Sequence, residues 1–461
     1  MAQASTDDSQ RIQRHDFAAP RYTSYPTAAQ FNPRIGAAEH RQSALKRQPG
    51  PLSIYVHIPF CASPCFYCGC TRIITRRQDV AENYLEHLHR EIVLQARLFD
   101  ARTAIAQLHL GGGTPTFLDD TQLEKLLNAL KQNFHLLDGT ALEQSIEVDP
   151  RTIDPQRIER LAAMGFNRLS LGIQDFDPAV QQAVNRVQTI AATRALIDAA
   201  RRSGFSSVSV DLIYGLPFQN LDSFSETLDQ VIAERPDRVA AYSYAHMPHL
   251  FVAQKQIRLE DLPSASTKFA LLQLTIRKLT EAGYVRIGMD HFSLPGDSLA
   301  IAARNHQLHR NFQGYSTHAD HDLLGLGLSA ISHLGDVLSQ NAKTLESYQR
   351  ILDSGNLPVV QGVHLSGADK IRGRIIEDIM CGRAISVAHV EHLGGINFKE
   401  HFSESLHRLE PMADDGLIEI SDDTLRVTPD GISLLRNIAS AFDEYLPVTR
   451  DHGKPRHSRT I

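Results

Sequence analysis

Four of the chain's five cysteines stand within ten residues: Cys61, Cys65, Cys68 and Cys70, in FCASPCFYCGC. Thiolates crowded into one loop are soft ligands, suited to zinc or to an iron–sulfur cluster. A structural zinc site usually draws pairs of ligands from two separate places. Here neither a second CxxC nor a spaced histidine pair follows, and Cys381 stands alone. Three close thiolates, Cys61, Cys65 and Cys68, suit a [4Fe–4S] cluster that keeps one iron for a non-protein ligand. Redox-active or merely buried cysteines are the remaining alternative.

Such a loop has to be delivered by a frame. LSIYVHI, residues 52–58, reads as a strand running straight into the cysteines. A helix is expected near 79–99, capped at Asp79, with Tyr84, Leu85, Leu88 and Ile92 on one face. QLHL at 107–110 is a short strand ending in Gly111, Gly112 and Gly113, where bare backbone lets a ligand approach closely. A second helix opens with Thr121 and Glu124 as a capping box. SIEVD at 145–149 alternates as a strand, and Asp154 with Pro155 opens a third helix. AAMGFNRLSLGI, RRSGFSSVSVDLI and TEAGYVRIGMDHF then repeat one form: a helix closes on a glycine, an aromatic follows, a strand begins. From Gly165 to Gly204 is one unit of roughly 40 residues, and from Gly204 to Gly283 two.

Alternating strands and helices imply right-handed crossovers and a parallel sheet. Six main strands lie near 52, 107, 145, 168, 208 and 238, with an addition near 284. The expected fold class is α/β: an open, partial (β/α)6 barrel over 51–352, with an N-terminal arm (1–50) and a mostly helical C-terminal domain (353–461). The cysteine loop, the glycines, Glu147, Gln174, Asp211 and Ala245–His246 all fall at C-terminal strand ends. That rim is where parallel α/β barrels build their sites. Glu147 and Asp211 there can accept from ribose hydroxyls or an ammonium group.

The flanks are less informative. RYTSYPTAAQF in the arm has no helical or strand period; it either wraps the surface or brings Arg21, Tyr22 and Tyr25 to a ligand. Residues 306–336, Gly-rich and holding five of the 22 histidines between 306 and 333, read as a loop against the rim. DSGNLPVVQGV marks the domain boundary, and GLIEISDDTLRVT (416–428) a hairpin turning at Asp422–Asp423. Helices plus a hairpin resemble a winged helix, but without a basic recognition helix a lid or packing module is expected. A net charge of −6 argues against a broad nucleic-acid surface. No apolar run approaches the ~20 residues of a membrane span, and the polar start is no signal peptide. Five cysteines, four in one loop, make no disulfide framework, so a cytoplasmic location is expected, with no nucleic-acid or membrane partner.

C-x3-C-x2-C with Tyr67 before its third cysteine resembles the signature of the radical S-adenosylmethionine (SAM) enzymes. The resemblance goes further. YVHIPFC, CGC, LGGGTPT, IEVDPR, NRLSLGIQDF, VNR, DLIYGLP, YAHMP, GMDHF and HRNFQGY recur in order as in the oxygen-independent coproporphyrinogen III oxidases. They span about residues 20–335; the C-terminal domain resembles that family more weakly. The resemblance implies anaerobic decarboxylation of two propionates of coproporphyrinogen III to vinyl groups, giving protoporphyrinogen IX. A 5′-deoxyadenosyl radical from SAM would take a hydrogen from the propionate carbon next to the macrocycle; carbon dioxide and an electron would then leave.

It also implies roles. Cys61, Cys65 and Cys68 would hold the cluster, and two SAM molecules would bind side by side. Tyr55, Gly112 and Glu147 would serve the one at the cluster; Tyr67, Gly113, Thr114, Gln174, Arg186, Asp211, Ala245 and Ile331 would serve the second. Cys70 is expected to stay off the cluster, because a fourth thiolate would close the open iron. Gly69 would let the chain turn sharply there, leaving the Cys70 thiol to the substrate or to packing. Arg21, Arg72 and Arg310 are candidates to pair with substrate carboxylates, or are plain surface residues. A reducing electron-donor protein is the expected partner and a monomer the expected state. The nearest rival is a haem chaperone or a radical methyltransferase acting on porphyrin; a zinc- or DNA-binding regulator is more distant.

Overall fold

The computed structural model describes residues 14–318, 321–446 and 457–459, so the first thirteen residues of the expected arm lie outside the described set. Six parallel strands form the frame: β1 Leu52–Ile58, β2 Ala104–Gly112, β3 Glu143–Val148, β4 Arg168–Gln174, β5 Ser207–Tyr214 and β6 Arg238–Ser243. They lie side by side in chain order. The crossovers run through helices Gln78–Ala96, Asp120–Asn133, Pro155–Ala163, Ile190–Arg202 and Leu221–Glu234. Strand alternation divides the two faces. Ile54, Val56, Leu108, Leu110, Ile146, Leu169 and Val210 join the helices in one apolar core. Tyr55, His109, Ser145, Glu147, Ser170 and Asp211 occupy the alternate places and hydrogen-bond or stack across the other face.

Two helix starts differ from the sequence reading. The first begins at Gln78 with Arg77 in the cap position; Asp79 lies in its first turn and pairs with Arg77 at 2.5 Å. The second is capped by Asp119, whose side chain accepts from Gln122 N, so the capping box precedes Thr121. Asp154 and Pro155 open the third helix as read.

The sheet continues past both ends of the frame and stays open, with 13 strands. Beyond β6, β7 Val285–Gly288 and β8 His291–Ser293 form a hairpin whose second strand lies antiparallel to β6. The next hairpin, β9 His309–Asn311 and β10 Gly314–Ser316, stands apart from the sheet. β11 Asp322–Leu326 then lies parallel to β1 on its free side. Antiparallel β12 Ile331–Leu334, β13 Val337–Asn341 and β14 Val359–His364 complete that edge. The expected loop over 306–336 is therefore corrected: the stretch contributes β9, β10, β11 and β12. Its glycines serve close packing, since a Cβ on Gly325 would sit 2.4 Å from the Ile331 carbonyl oxygen. The sheet also runs on to His364, past the division drawn at 352/353.

The C-terminal region has its own apolar core, built on helices Gly367–Met380 and Ser403–Asp414. The expected hairpin is there as strands Ile418–Ile420 and Thr424–Val427, with Ile385–Ser386 as a third strand. Tyr22 and Tyr25 of the arm are buried in this core. No helix among the described residues is long and apolar enough to cross a membrane.

Candidate active site

The cysteine loop leaves β1 at the C-terminal end of the frame. Phe60 roots it: fully buried, its ring packs on Tyr84 and Phe117. Phe60–Cys61 pairs with Ile73–Ile74 and closes the loop as a small two-stranded ribbon. Arg72 is turned into the loop, donating to the carbonyls of Cys68 (2.8 Å) and Cys65 (3.1 Å). Cys65 Sγ accepts from Arg151 Nη2 and Arg186 Nη1, both at 3.3 Å. Those guanidiniums share Asp149, at 2.6 and 3.1 Å. Enclosure alone would raise the Asp149 pKa, but the two arginines outweigh it and hold it below the usual range. Cys61 Sγ lies 3.6 Å from Thr114 Oγ1, and Cys68 Sγ accepts from Cys70 N at 3.5 Å. The Cys70 residue is exposed. Gly69 has no left-handed backbone; a Cβ there would come within 3.0 Å of the Phe251 ring. The glycine serves that close packing, and its backbone is not in the left-handed turn conformation.

The glycine run is packed from three sides. A Cβ on Gly111 would meet Glu147 at 2.7 Å, one on Gly112 the His57 ring at 2.6 Å, and one on Gly113 the Phe60 carbonyl at 2.7 Å. Gly113 N donates to Ile58 O, tying β2 to the root of the cysteine loop. Gly112 N donates to Glu147 Oε2, and His109 Nε2 to Glu147 Oε1, each at 3.1 Å. Enclosure would raise the Glu147 pKa; these hydrogen bonds outweigh it and keep the carboxylate charged. Tyr55 stacks on His109 at 5.7 Å and hydrogen-bonds His57 Nδ1 at 3.1 Å. Ser170 donates to Asp211, whose carboxyl is pushed up to about 7, by enclosure first and then by the Glu147 charge.

The remaining expected residues meet the same rim. Gln174 sits at a β4–β5 register shift with a positive φ of 70°, a conformation few non-glycine residues adopt. Arg186 also donates to Gly172 O, so it lies against the cysteine loop as well as the end of β4. Buried Gln254 joins Tyr67 and Ala245 by donating to both carbonyls, at 2.9 and 3.1 Å. Ile331 stands apart on β12, where its backbone leans over Gly325, the β11 partner of Tyr55. The three candidate arginines part company. Arg72 belongs to the cysteine loop, Arg21 pairs with Asp290 at 3.0 Å, and Arg310 lines a cavity of ≈ 300 Å³ bounded by the arm, β9, β12 and the C-terminal domain.

Sequence reasoning passed over His57, His109, Asp149, Arg151 and Gln254. The first two carried a signal, as polar residues alternating with apolar ones inside strands. Asp149 and Arg151 lie within the quoted IEVDPR; Gln254 lies in a short 3-10 helix, Val252–Gln256, and carried none.

The loop fits an iron–sulfur cluster. Two guanidiniums aimed at one sulfur suit a thiolate-bound group of negative charge. Among the described residues no three His, Cys, Asp or Glu converge on a single ion. A [4Fe–4S] cluster does not require convergence, because each thiolate takes a different iron.

Comparison with known proteins follows the same lines. Residues 55–231 match the Radical SAM superfamily and residues 365–434 the HemN C-terminal domain. Fold and cysteine loop together define a radical SAM enzyme, a class that works with a [4Fe–4S] cluster and SAM. The oxygen-independent coproporphyrinogen III oxidase of Pseudomonas aeruginosa is 45% identical over 456 residues, 98% of each chain. That of Salmonella typhimurium is 47% identical over 435 residues, 94% of each. The solved coproporphyrinogen III oxidase (HemN) of Escherichia coli, itself a radical SAM enzyme, superposes with a TM-score of 0.89 at 46% identity, covering 92% of this chain and 97% of that one. The chain belongs to the oxygen-independent coproporphyrinogen III oxidases.

Proposed function

We propose that this chain removes two propionate carboxyl groups from coproporphyrinogen III without oxygen, leaving vinyl groups and giving protoporphyrinogen IX. The observation that carries the reading is one rim holding both the cysteine loop, with Arg151 and Arg186 on Cys65, and the polar wall of Tyr55, His109, Glu147 and Asp211. Bound and reduced, cluster and SAM supply a 5′-deoxyadenosyl radical. The protein's part is to hold and to orient. Cys61, Cys65 and Cys68 anchor the cluster, and the two guanidiniums offset its negative charge. Tyr55, Gly112 and Glu147 serve the SAM at the cluster; Glu147, held charged by His109 and Gly112 N, suits hydroxyl or ammonium donors. Tyr67, Gly113, Thr114, Gln174, Arg186, Asp211, Ala245 and Ile331 serve a second SAM. Cys70, whose side chain hydrogen-bonds that of Cys68 beside the loop, takes a role with the substrate and is not a fourth cluster ligand. A cytoplasmic monomer fed by a reducing protein completes the reading.

An anaerobic assay tests it, with coproporphyrinogen III, SAM and a reductant, read as protoporphyrin after oxidation. Carbon dioxide and protoporphyrin should form, and both should depend on SAM. A cluster-replete protein that binds haem tightly yet leaves the propionates intact would make it a chaperone.

A further inference from the structure

We infer that Arg310 anchors a propionate carboxylate of the substrate, one that is kept rather than lost; this rests on the function proposed above. Arg72 and Arg21 already have acceptors, in the cysteine-loop carbonyls and in Asp290 with Ser243 O. Arg310 does not. The residue is 7% exposed, and its Nε and Nη1 are buried without a hydrogen-bond partner. Buried polar groups in folded proteins are nearly always paired, and a guanidinium left with open donors points to an absent acceptor.

The guanidinium is held in place. Arg310 and Tyr315 are cross-strand neighbours in the β9–β10 hairpin, and the charge lies 4.6 Å over the ring. Tyr315 is fixed in turn: its hydroxyl donates to Met380 O at 2.7 Å and fills the space that a Cβ on Gly288 would need. The acids that line the cavity, Asp336, Asp369 and Glu377, have other partners, and so does Asp290, which lies outside it but feels the Arg310 charge. Asp290 takes Arg21 and His291, Asp336 takes Lys370, Glu377 takes His309, and Asp369 takes Ser366 and Tyr445. None of them is in ion-pair contact with Arg310.

The cavity of ≈ 300 Å³ that Arg310 lines has room for one propionate arm with its pyrrole, not for a whole tetrapyrrole. It adjoins the rim through ring contacts: Tyr315 under Arg310 meets His291 edge-on at 5.0 Å, and His291 meets Tyr242, near the end of β6, at 5.6 Å. A carboxylate is the acceptor a guanidinium matches best. Pairing also stabilises the carboxylate ground state, which opposes its loss as carbon dioxide. Arg310 is therefore a positioning residue for an arm that does not react.

The probe is coproporphyrin III, the oxidised, unreactive tetracarboxylate, titrated by fluorescence into cluster-containing protein with SAM. Its tetramethyl ester is the control. Arg310→Met should weaken the acid roughly ten- to hundredfold and leave the ester unchanged. Arg310→Lys should restore part of the loss, and iron content and SAM binding should stay as in the parent. Equal affinity of parent and Arg310→Met for the acid would overturn the inference. So would an equal loss of acid and ester, which marks a packing role. Should Arg310→Met lose its iron, Arg310→Lys decides: acid affinity equal to that of Arg310→Gln would refute a charge-based anchor. Parent protein that fails to turn over coproporphyrinogen III refutes the proposed function. Turnover retained with an indifferent Arg310 refutes only this inference.

Discussion

Cys65 differs from its neighbours in what faces it: two guanidiniums, where Cys61 meets a hydroxyl and Cys68 a backbone N–H. On the proposed ligation each of the three is an anchor without a substitute, so alanine at 61, 65 or 68 should abolish iron binding and turnover together. Cys70→Ser should separate the two. Iron and sulfide are expected at parent levels, with coproporphyrinogen turnover lost; iron analysis with Mössbauer spectroscopy reads the first and the anaerobic assay the second. Loss of the cluster would make Cys70 a ligand and close the iron that SAM needs. Asp211 permits a test by pH. Its carboxyl titrates at about 7 in the folded protein, raised by enclosure and then by Glu147, and near 4 in an unfolded chain. Between those values the folded state keeps a proton that the unfolded state has released. Stability therefore falls as pH rises from about 4 to about 7. Asp211→Asn does not titrate, so its urea midpoint should gain on the parent's through that window and hold a constant lead above it, measured without SAM. A gap that did not move with pH would mean that the carboxyl is solvated.

At the scale of elements, the glycine run makes a sharper demand than ligand access. Ala at 113 would place its Cβ 2.7 to 2.8 Å from the backbone of Pro59 and Phe60, which cannot yield without moving the root of the cysteine loop. Gly113→Ala should cost about 1–3 kcal/mol and lower the iron content. Gly367→Ala is the matched control: no atom lies within 4 Å of its Cβ and it opens a helix, so it should be neutral or slightly stabilising. Urea unfolding and iron analysis of the pair measure both; equal behaviour would remove the packing argument. The elements that were legible in the sequence were those obeying one period for long enough. LSIYVHI and NRLSLGI are strands with a helix after each, and their apolar alternation survives because the helices cover one face only. β11 and β12 were not legible. Five and four residues long, with Gly325 inside the first, Gly327 between them and the histidines of the region around them, they look like loop until β1 is seen to need a partner on its free edge. The site divides in the same way. The cysteines and the strand-end carboxylates are local patterns. That Arg151 and Arg186 meet on Cys65 is a tertiary event: they lie 86 and 121 residues from it, and no spacing carries that information.

On the scale of the whole molecule, the arm is a strap between two cores rather than a surface wrap. Tyr22 and Tyr25 are buried among the C-terminal residues, and the Tyr22 hydroxyl donates to Asp443 at 2.9 Å. Arg21, next in line, reaches the other way to Asp290 beside β8. Arg436 fixes the strap. It is 2% exposed and donates to the carbonyls of Ala19, Pro20 and Ser458, so one guanidinium clamps the arm and the segment at 457–459 to the C-terminal domain. Met at 436 has similar length and no donors, and would leave those carbonyls unpaired in a buried place. At about 1–3 kcal/mol for each carbonyl left unpaired, the expected loss is about 3 kcal/mol or more, with faster proteolysis near residues 18–26. Arg21→Met takes one of two partners from the buried Asp290 carboxylate, which keeps His291, and should cost about 1–3 kcal/mol, less than Arg436→Met. Because Tyr22 and Tyr25 also line the cavity that holds Arg310, release of the strap should raise the KM for coproporphyrinogen III in Arg436→Met and leave iron content unchanged. Urea titration, limited proteolysis and the anaerobic assay on both variants measure this. Parent-like protease resistance and KM in Arg436→Met would show that the arm is held by its tyrosines alone.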